Sequence, residues 1–277
     1  MRRALRLAGL AVALSLWVIA ARASASSPAP STPGSSPSIL ASPGIPVLLG
    51  WETVGMMPHD PGAWIEGLLI DSQGRLFEST GIVGETTLRE LDRSSGEVLR
   101  STAPPDDVYG EGLAMAGDRL LQLTWRDGVA LAWEPDTFEL LGSVPYRGEG
   151  WGLCSDGTRL VMSDGSATLT FRDPETFEPT GSVEVTAAGE PVLKLNELEC
   201  VDGQVWSNVW ETPYIVRIDP ATGVVTGVLD MTGLAVPDPS AIDPGAVLNG
   251  IAYDPERGTF LLTGKLWPTM YEVRVTG

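Results

Sequence analysis

The sequence is poor in the side chains from which many catalytic centres are built. Its 277 residues include one histidine, His59, and two cysteines, and of its 18 basic residues only Lys194 and Lys265 are lysines. This composition excludes most metal sites made of histidine or cysteine, and a Ser-His-Asp centre would have to use His59. The 36 acidic residues give a formal net charge of −18. We therefore expect no nucleic-acid partner, because phosphate binding requires a basic face.

The N-terminus has the pattern of an export signal. Several arginines precede an apolar run from Leu7 to Ala20, and the small residues Ala23 to Ala25 resemble a cleavage site. We predict a signal peptide at residues 1–25 and a disordered Ser/Pro-rich tether at residues 26–44. The apolar run is short for a membrane span, which favours cleavage over retention as an anchor. The expected protein is periplasmic or secreted, with no stable membrane insertion after cleavage.

From about residue 45 onward, one hairpin pattern recurs along the chain. Each copy has a Gly-Leu-like start, a short polar turn such as Asp-Gly, and a second apolar strand. The copies start 40 to 52 residues apart, at Gly67, Gly112, Gly152, Leu198 and Gly250. A second hairpin follows each of the first four copies. Two hairpins make a four-stranded sheet of about 45 residues, which is the size of one propeller blade.

The last copy ends one strand short, whereas an unassigned strand at residues 47–54 precedes the first copy. We therefore predict an all-β fold, a single five-bladed β-propeller over residues 45–277. Its ring would be closed by the N-terminal strand, which completes the last blade. Such a ring protects its strand edges without a partner, so we expect a monomer. A pair of β-sandwiches is the alternative, although recurrence of both hairpins is hard to obtain from one.

Alignment of the copies collects unusual residues at one end of the hairpins. The start of one strand lies beside the end of its antiparallel partner, so these residues would surround one mouth of the central channel. The aromatic members are Trp64, Tyr109, Trp125, Trp151 and Trp210, and the polar members are Glu66, Glu111, Asn196 and Lys265. Any single tryptophan could instead pack between blades. Polar groups within an aromatic cup indicate a small-ligand site, because buried polar groups need partners.

At these residues the sequence resembles the plant- and bacterial-type glutaminyl cyclases (glutaminyl-peptide cyclotransferases), which are five-bladed propellers. The matching motifs run in order from Pro58 to Pro268 and include PHDPGAWIEGL, YGEGLAM, GWGLCSDG, LNELE, NVWETPYIVRIDP and LTGKLWP. The resemblance implies cyclisation of N-terminal glutamine, in peptides or proteins, to pyroglutamate with release of ammonia. It implies no metal and no organic cofactor.

The resemblance also implies roles for the residues at matched positions. Glu111 in YGEGL would shuttle the proton, and Lys265 in LTGKLW would stabilise or orient charge near the amide. Asn196 in LNELE would hydrogen-bond the amine or amide of the substrate. The five aromatic residues of the cup would form walls that exclude water and hold the bent side chain.

One departure from the family pattern concerns Glu66. The family commonly has Phe-Thr-Gln-Gly where this chain has Trp64-Ile65-Glu66-Gly67. A second carboxylate beside Glu111 would raise one of their pKa values, or would attract the ammonium form of the substrate. Tyr109 in place of the usual Phe adds one hydroxyl. Two alternatives stay open: a non-catalytic propeller that binds peptide N-termini or another small ligand, and a glycosidase that uses Glu66 and Glu111 as a carboxylate pair.

Two smaller questions also stay open from the sequence. Cys154 and Cys200 occupy equivalent positions in successive copies, and export permits a disulfide. However, facing sheets lie about 10 Å apart, while a disulfide requires Cα atoms within roughly 7 Å. Acidic residues at the turns could bind calcium, although single acids there mostly accept hydrogen bonds from nearby backbone.

Overall fold

The computed structural model describes residues 44–105, 107–234 and 243–276. The predicted signal peptide, and the predicted tether except for its last residue, lie outside these ranges. In the described ranges no helix is long and apolar enough to cross a membrane.

The described chain is all-β, apart from one short 3-10 helix at Met231–Gly233. Three four-stranded sheets are each built from four consecutive strands. The first contains β2 (Ile65–Ile70), β3 (Leu76–Thr80), β4 (Thr87–Leu91) and β5 (Val98–Thr102). The second contains β6 (Gly110–Ala116), β7 (Arg119–Thr124), β8 (Val129–Trp133) and β9 (Leu140–Pro145). The third contains β10 (Leu153–Ser155), β11 (Leu160–Met162), β12 (Thr168–Arg172) and β13 (Pro179–Glu184).

The remaining strands form a two-stranded ribbon and an eight-stranded sheet. The ribbon pairs β14 (Thr186–Ala187) with β15 (Glu190–Pro191). One half of the larger sheet contains β16 (Leu195–Val201), β17 (Gln204–Val209), β18 (Tyr214–Ile218) and β19 (Val225–Asp230). The other half contains β1 (Val47–Pro58), β20 (Leu248–Asp254), β21 (Thr259–Gly264) and β22 (Thr269–Thr276).

The N-terminal strand β1 joins the two halves of the eight-stranded sheet. It pairs antiparallel with β22, from Gly50 opposite Thr276 to Pro58 opposite Thr269. Its first residues, Val47 to Leu49, pair in parallel with β19. The half that begins with β20 thereby obtains its fourth strand from the start of the domain.

The apolar core lies between neighbouring sheets. Ile65 and Leu68 of β2 pack with Ala252, Leu261 and Met270 of the sheet that contains β20 to β22. Fully burying a side chain of this size contributes about 1.5–3 kcal/mol. Because neighbouring sheets bury apolar side chains against each other in this way, the sheets hold one another in place.

The acids at the outer turns accept hydrogen bonds from the local backbone. Asp92 accepts from the amides of Ser94 and Ser95 and from both serine hydroxyls. The Ser94 hydroxyl is the largest of these influences, and together they lower the pKa of Asp92 to about 2. Asp173 accepts from the amides of Glu175 and Thr176 in the same way. These carboxylates therefore close turns, and the described residues include no cluster of three metal-ligating side chains.

Cys154 and Cys200 form a disulfide, with Cα atoms 5.5 Å apart. The spacing typical of facing sheets does not apply to them, because they lie on β10 and β16, the first strands of successive sheets, and these strands converge. A Cβ atom at Gly152 would lie only 2.1 Å from the carbonyl oxygen of Asn196. The convergence brings the two cysteines within bonding distance.

The single histidine lies in a buried ion pair beside the end of β1. Nε2 of His59 lies 2.5 Å from Oε2 of Glu78 in β3, and Nδ1 lies 2.8 Å from the carbonyl oxygen of Trp267. Burial lowers the pKa of His59, but the hydrogen bond and negative charge of Glu78 outweigh it, so the pKa is raised above its usual 6.5. His59 therefore links the first sheet to the last.

We expect His59→Gln to destabilise the protein most at acidic pH. A pKa that is raised on folding contributes stability below the unfolded value and loses it as pH rises through the folded value. The difference in unfolding free energy between wild type and variant should be about 1.5–3 kcal/mol near pH 5 and should shrink toward about pH 9. Chemical denaturation at both pH values measures it. If this difference in unfolding free energy were the same at both pH values, it would contradict the raised pKa of His59, since the chain has no other histidine.

Candidate active site

The first strands of the sheets carry the polar site residues at their starts. Glu66, Glu111, Asn196 and Asn249 are the second residues of β2, β6, β16 and β20 respectively. In each of these strands the pairing with the next strand is irregular near this residue. Such bulges re-aim side chains at the edge of a sheet. Because of the irregular pairing, these four side chains need not follow the alternation of side chains between the two faces of the sheet.

Glycines let these first strands approach one another backbone to backbone. A Cβ atom at Gly67 would lie 2.8 Å from the amide nitrogen of Leu113, and one at Gly112 would lie 2.6 Å from that of Leu153. A real Cβ cannot occupy such positions without displacing the backbone. Since Glu66 and Glu111 directly precede these glycines, the close approach also brings the two carboxyl groups together.

Glu66 accepts three side-chain hydrogen bonds. Its Oε1 atom accepts from the Tyr109 hydroxyl at 2.8 Å and from Nζ of Lys265. Its Oε2 atom accepts from Nδ2 of Asn249 at 3.1 Å. Glu66 is 1% exposed and Lys265 is 5% exposed, so the two opposite charges are buried as a pair. Both oxygens of Glu66 are occupied by protein donors.

Glu111 lies beside this pair and is 5% exposed. Among the described residues it has no comparable set of hydrogen-bond donors. Burial raises its pKa well above the usual range, and the negative charges of Glu66 and Glu149 raise it further, while Lys265 opposes the shift. A carboxyl group with a raised pKa can both accept and donate a proton near neutral pH. The geometry therefore provides one acid–base group and one fixed ion pair.

Four of the predicted aromatic residues are in ring contact as two pairs. The rings of Tyr109 and Trp125 lie 5.6 Å apart, and those of Trp151 and Trp210 lie 5.4 Å apart, edge to face. Burial raises the pKa of Tyr109 strongly, and the charges of Glu66 and Glu111 add to the shift, so its hydroxyl stays a donor. Trp64 lies with its ring centroid 5.3 Å from Nζ of Lys265. All five aromatics are half-buried, so each retains a solvent-facing part.

Two buried amide oxygens at the site lack a protein partner among the described residues. They are Oδ1 of Asn196 and Oδ1 of Asn249. The amide nitrogen of Asn249 donates to Glu66 and to the carbonyl oxygen of Ile65, which fixes its side chain. Buried acceptors without partners are costly, and each can accept a hydrogen bond from the N–H group of a ligand.

The structure brings the predicted residues into two groups, which meet at the ring contact of Tyr109 with Trp125. Glu66, Tyr109, Glu111 and Lys265 lie together. Trp125, Trp151 and Trp210 are linked through Glu149 and through ring contact. Asn196 lies at the start of β16, where the carbonyl oxygen of its backbone accepts from the Ser163 hydroxyl at 2.7 Å.

Sequence reasoning missed three residues at or near this site: Asn249, Glu149 and Glu197. Asn249 and Asn196 occupy the position of Glu66 in their own copies of the repeat, which was the available signal. Glu197 stands where the other copies have glycine. Its fully buried carboxylate accepts from the amide of Ile251 at 2.8 Å and from that of Leu68 at 3.4 Å. Glu197 thus connects β16 with β20 and β2.

Comparison with known proteins gives concordant results. A family model described as glutamine cyclotransferase matches residues 19–275. A glutaminyl-peptide cyclotransferase from Arabidopsis thaliana is 37% identical over 231 residues, which cover 81% of this chain and 71% of the relative. The crystal structure of Myxococcus xanthus glutaminyl cyclase superposes with a TM-score of 0.76 at 40% identity, over 83% of this chain and 98% of that chain.

We expect Glu66→Gln to lower the pKa of Glu111. The substitution removes the negative charge that, after burial, does most to raise this pKa, and it leaves the opposing charge of Lys265 in place. Carboxyl carbon NMR across the pH range measures the shift. Glu199 is an internal control, because burial raises its pKa to about 8 without a contribution from Glu66. An unchanged Glu111 titration would contradict the coupling.

Proposed function

The chain belongs to the glutamine cyclotransferase family, and we propose that it converts the N-terminal glutamine of peptides or proteins to pyroglutamate and releases ammonia. The observation that carries this proposal is the buried Glu111 carboxyl beside the Glu66–Lys265 pair. Trp64 and Tyr109 contact the same pair, and their positions match motifs of the family.

The reaction forms one C–N bond and breaks another. The α-amine attacks the carbonyl carbon of its own side-chain amide, and the former amide nitrogen leaves as ammonia. Because the nucleophile is already tethered, holding the side chain bent supplies much of the rate enhancement. The half-buried walls of Trp64, Tyr109 and Trp125 suit this role, since apolar rings enclose the substrate methylenes and exclude water.

Glu111 is suited to move the proton between the two nitrogens. As a carboxylate it would accept a proton from the attacking amine, and as an acid it would return that proton to the leaving nitrogen. Burial raises its pKa, and a raised pKa suits a carboxyl group to general acid–base catalysis. One group thereby serves both halves of the reaction.

Lys265 and the two asparagines are suited to position charge. Glu66 fixes Nζ of Lys265, and the ammonium group would stabilise the negative charge that develops on the amide oxygen. The unpartnered Oδ1 atoms of Asn196 and Asn249 would accept hydrogen bonds from the substrate amine or amide. In this chain the carboxylate of Glu66 stands where the family commonly has glutamine. The charge of Lys265 is then needed to balance the buried negative charge of Glu66.

We further propose that the fold is a five-bladed β-propeller with a closed ring. In support, the first strands contact one another in the order β2, β6, β10, β16, β20, and β20 contacts β2. The two halves of the eight-stranded sheet then count as the fourth and fifth blades, and β1 completes the fifth through its pairing with β22.

Export to the periplasm or the medium, as a monomer, is also proposed. The Cys154–Cys200 disulfide supports an oxidising compartment. The N-terminal apolar run supports translocation. Peptides and proteins that begin with glutamine would be the substrates met there.

The alternatives differ in what they require of Glu66. A glycosidase needs two carboxyl groups that both face the substrate, about 5–5.5 Å apart in a retaining enzyme and further apart in an inverting one. Both oxygens of Glu66 instead accept hydrogen bonds from Tyr109, Asn249 and Lys265. A non-catalytic binding protein would use the same cup without proton transfer. Activity therefore separates it from the cyclotransferase.

We expect ammonia release from a dipeptide that begins with glutamine, measured from about pH 5 to pH 9. Glu111→Gln should lower kcat by about 10²-fold or more with an unchanged fold by circular dichroism. Glu66→Gln should remain active, with its pH profile displaced to lower pH. Turnover by Glu111→Gln close to that of wild type would remove this residue from proton transfer. A silent wild type beside an active Glu66→Gln variant would indicate a cup adapted to another ligand, and silence in both would favour the binding protein.

Lys265→Met should lower both stability and activity, for separable reasons. It leaves the Glu66 carboxylate buried without its counter-ion, which costs about 3–5 kcal/mol. The double variant Glu66→Gln/Lys265→Met should recover most of that stability in chemical denaturation, while kcat stays depressed by about 10²-fold. Recovery of activity along with stability would show that Lys265 acts only by neutralising Glu66.

A further inference from the structure

Glu149 connects the aromatic walls of two neighbouring sheets. It lies between β9 and β10 and is half-buried at the mouth. Its Oε2 atom accepts from Nε1 of Trp125 at 2.7 Å and from Nε1 of Trp151 at 3.1 Å. Its Oε1 atom accepts from Nε of Arg126 at 2.8 Å. One carboxylate thus accepts hydrogen bonds from two indoles.

Backbone hydrogen bonds hold the segment that carries Glu149. The amide of Gly150 donates to the carbonyl oxygen of Trp125 at 2.9 Å, and the carbonyl oxygen of Trp151 accepts from Gly112 at 2.8 Å. Gly112 directly follows Glu111. Main-chain contacts therefore link the positions of Glu149, Trp151 and Glu111. The backbone of Glu149 is held in place, so its carboxylate can orient the two indoles.

Besides these hydrogen bonds, each indole has a ring contact, Trp125 with Tyr109 and Trp151 with Trp210. Half-exposed side chains occupy several rotamers unless packing or a hydrogen bond selects one. Trp125 carries the Arg126 guanidinium over its ring at 3.7 Å, and Arg126 is itself paired with Glu149. Loss of the Glu149 carboxylate would therefore remove one hydrogen bond from each of Trp125, Arg126 and Trp151.

The carboxylate also carries a charge that reaches Glu111. Although burial opposes it, hydrogen bonds from Trp151, Arg126 and Trp125 lower the pKa of Glu149, so the group is ionised at neutral pH. Its negative charge contributes to the raised pKa of Glu111. The other titratable groups that act on or respond to Glu111 are Glu66 in β2, Lys265 after β21, Tyr109 before β6 and Tyr146 after β9.

We propose that Glu149 is a positioning residue for the cyclotransferase reaction. It holds Trp125 and Trp151 in the orientation that encloses the bent glutamine side chain, and its charge adds to the electrostatic field at Glu111. This inference rests on the proposed function and names a further residue of the same site.

Two substitutions separate the hydrogen bonds from the charge. Glu149→Gln keeps a carbonyl oxygen that both indoles can reach and removes the negative charge. Glu149→Leu removes both acceptors. Glu211→Gln is the matched control, because Glu211 is an exposed carboxylate that pairs with Lys194 and accepts no indole hydrogen bond among the described residues.

We expect Glu149→Leu to lower kcat/KM for the glutaminyl dipeptide by about 10²-fold, because misplacement by about 1 Å is enough for such a loss. Glu149→Gln should stay within about threefold of wild type, with its pH profile displaced to lower pH. Glu211→Gln should change neither quantity. Equal losses in Glu149→Leu and Glu211→Gln, or an unmoved pH profile in Glu149→Gln, would overturn the proposal.

A double-mutant cycle and a spectroscopic measurement complete the test. If Glu149 acts through the indole, Glu149→Leu and Trp125→Phe should be non-additive in kcat/KM, and additivity would contradict the proposal. The near-ultraviolet circular dichroism of the tryptophans should change in Glu149→Leu and not in Glu211→Gln. That signal is independent of turnover, so an inactive wild type would refute the proposed function while the positioning role remained measurable; an unchanged spectrum would refute the positioning role itself.

Discussion

The close approach of the first strands is the constraint on which the rest of the structure depends. Gly67, Gly112 and Gly152 leave room for the backbone of the next sheet, where any Cβ atom would clash. This contact sets how near the strand starts lie to one another, and the side chains just before the glycines therefore meet in one place. The Cys154–Cys200 disulfide follows from the same convergence. Where the fourth copy of the repeat has Glu197 instead of glycine, the carboxylate takes up the amides of Ile251 and Leu68, so a side chain replaces direct backbone packing.

The electrostatics of the site are a balance among three buried charged groups. Glu66 and Lys265 neutralise each other, which lets both remain in a poorly hydrated place. In the part of the chain that the structure describes, Glu111 forms no ion pair, and burial beside Glu66 raises its pKa. A neutral glutamine at the position of Glu66 would leave Lys265 free to act on Glu111. In this chain the Glu66 carboxylate therefore offsets part of the charge of Lys265 and fixes the position of its Nζ atom. The Tyr109 hydroxyl and the Asn249 amide complete the hydrogen bonds of Glu66.

Much of the fold and of the site follows from local sequence. Alternation of apolar and polar residues, with Asp-Gly-like turns between them, is a property of neighbouring residues, so the paired hairpins and the strand starts at Glu66, Glu111 and Asn196 could be predicted. The extra N-terminal strand could be matched to the incomplete last copy by counting. The role of the acids at the turns could also be predicted, because a carboxylate such as Asp92 accepts hydrogen bonds from amides two and three residues away. Asn249 was visible in the repeat alignment, although only its contact with Glu66 gives it a place in the site.

The sequence by itself thus determined the strands, the turns and which unusual residues lie at the starts and ends of the hairpin strands, because these depend on short-range pattern and repeat register. Only the tertiary structure decided which of those residues bond to one another. The Glu66–Lys265 pair joins positions 199 residues apart, and its formation depends on how the last sheet packs against the first. The hydrogen bonds of Glu149 with two indoles and the disulfide between the cysteines likewise depend on distances between sheets. Such distances are fixed by packing of whole sheets, and no local pattern encodes them.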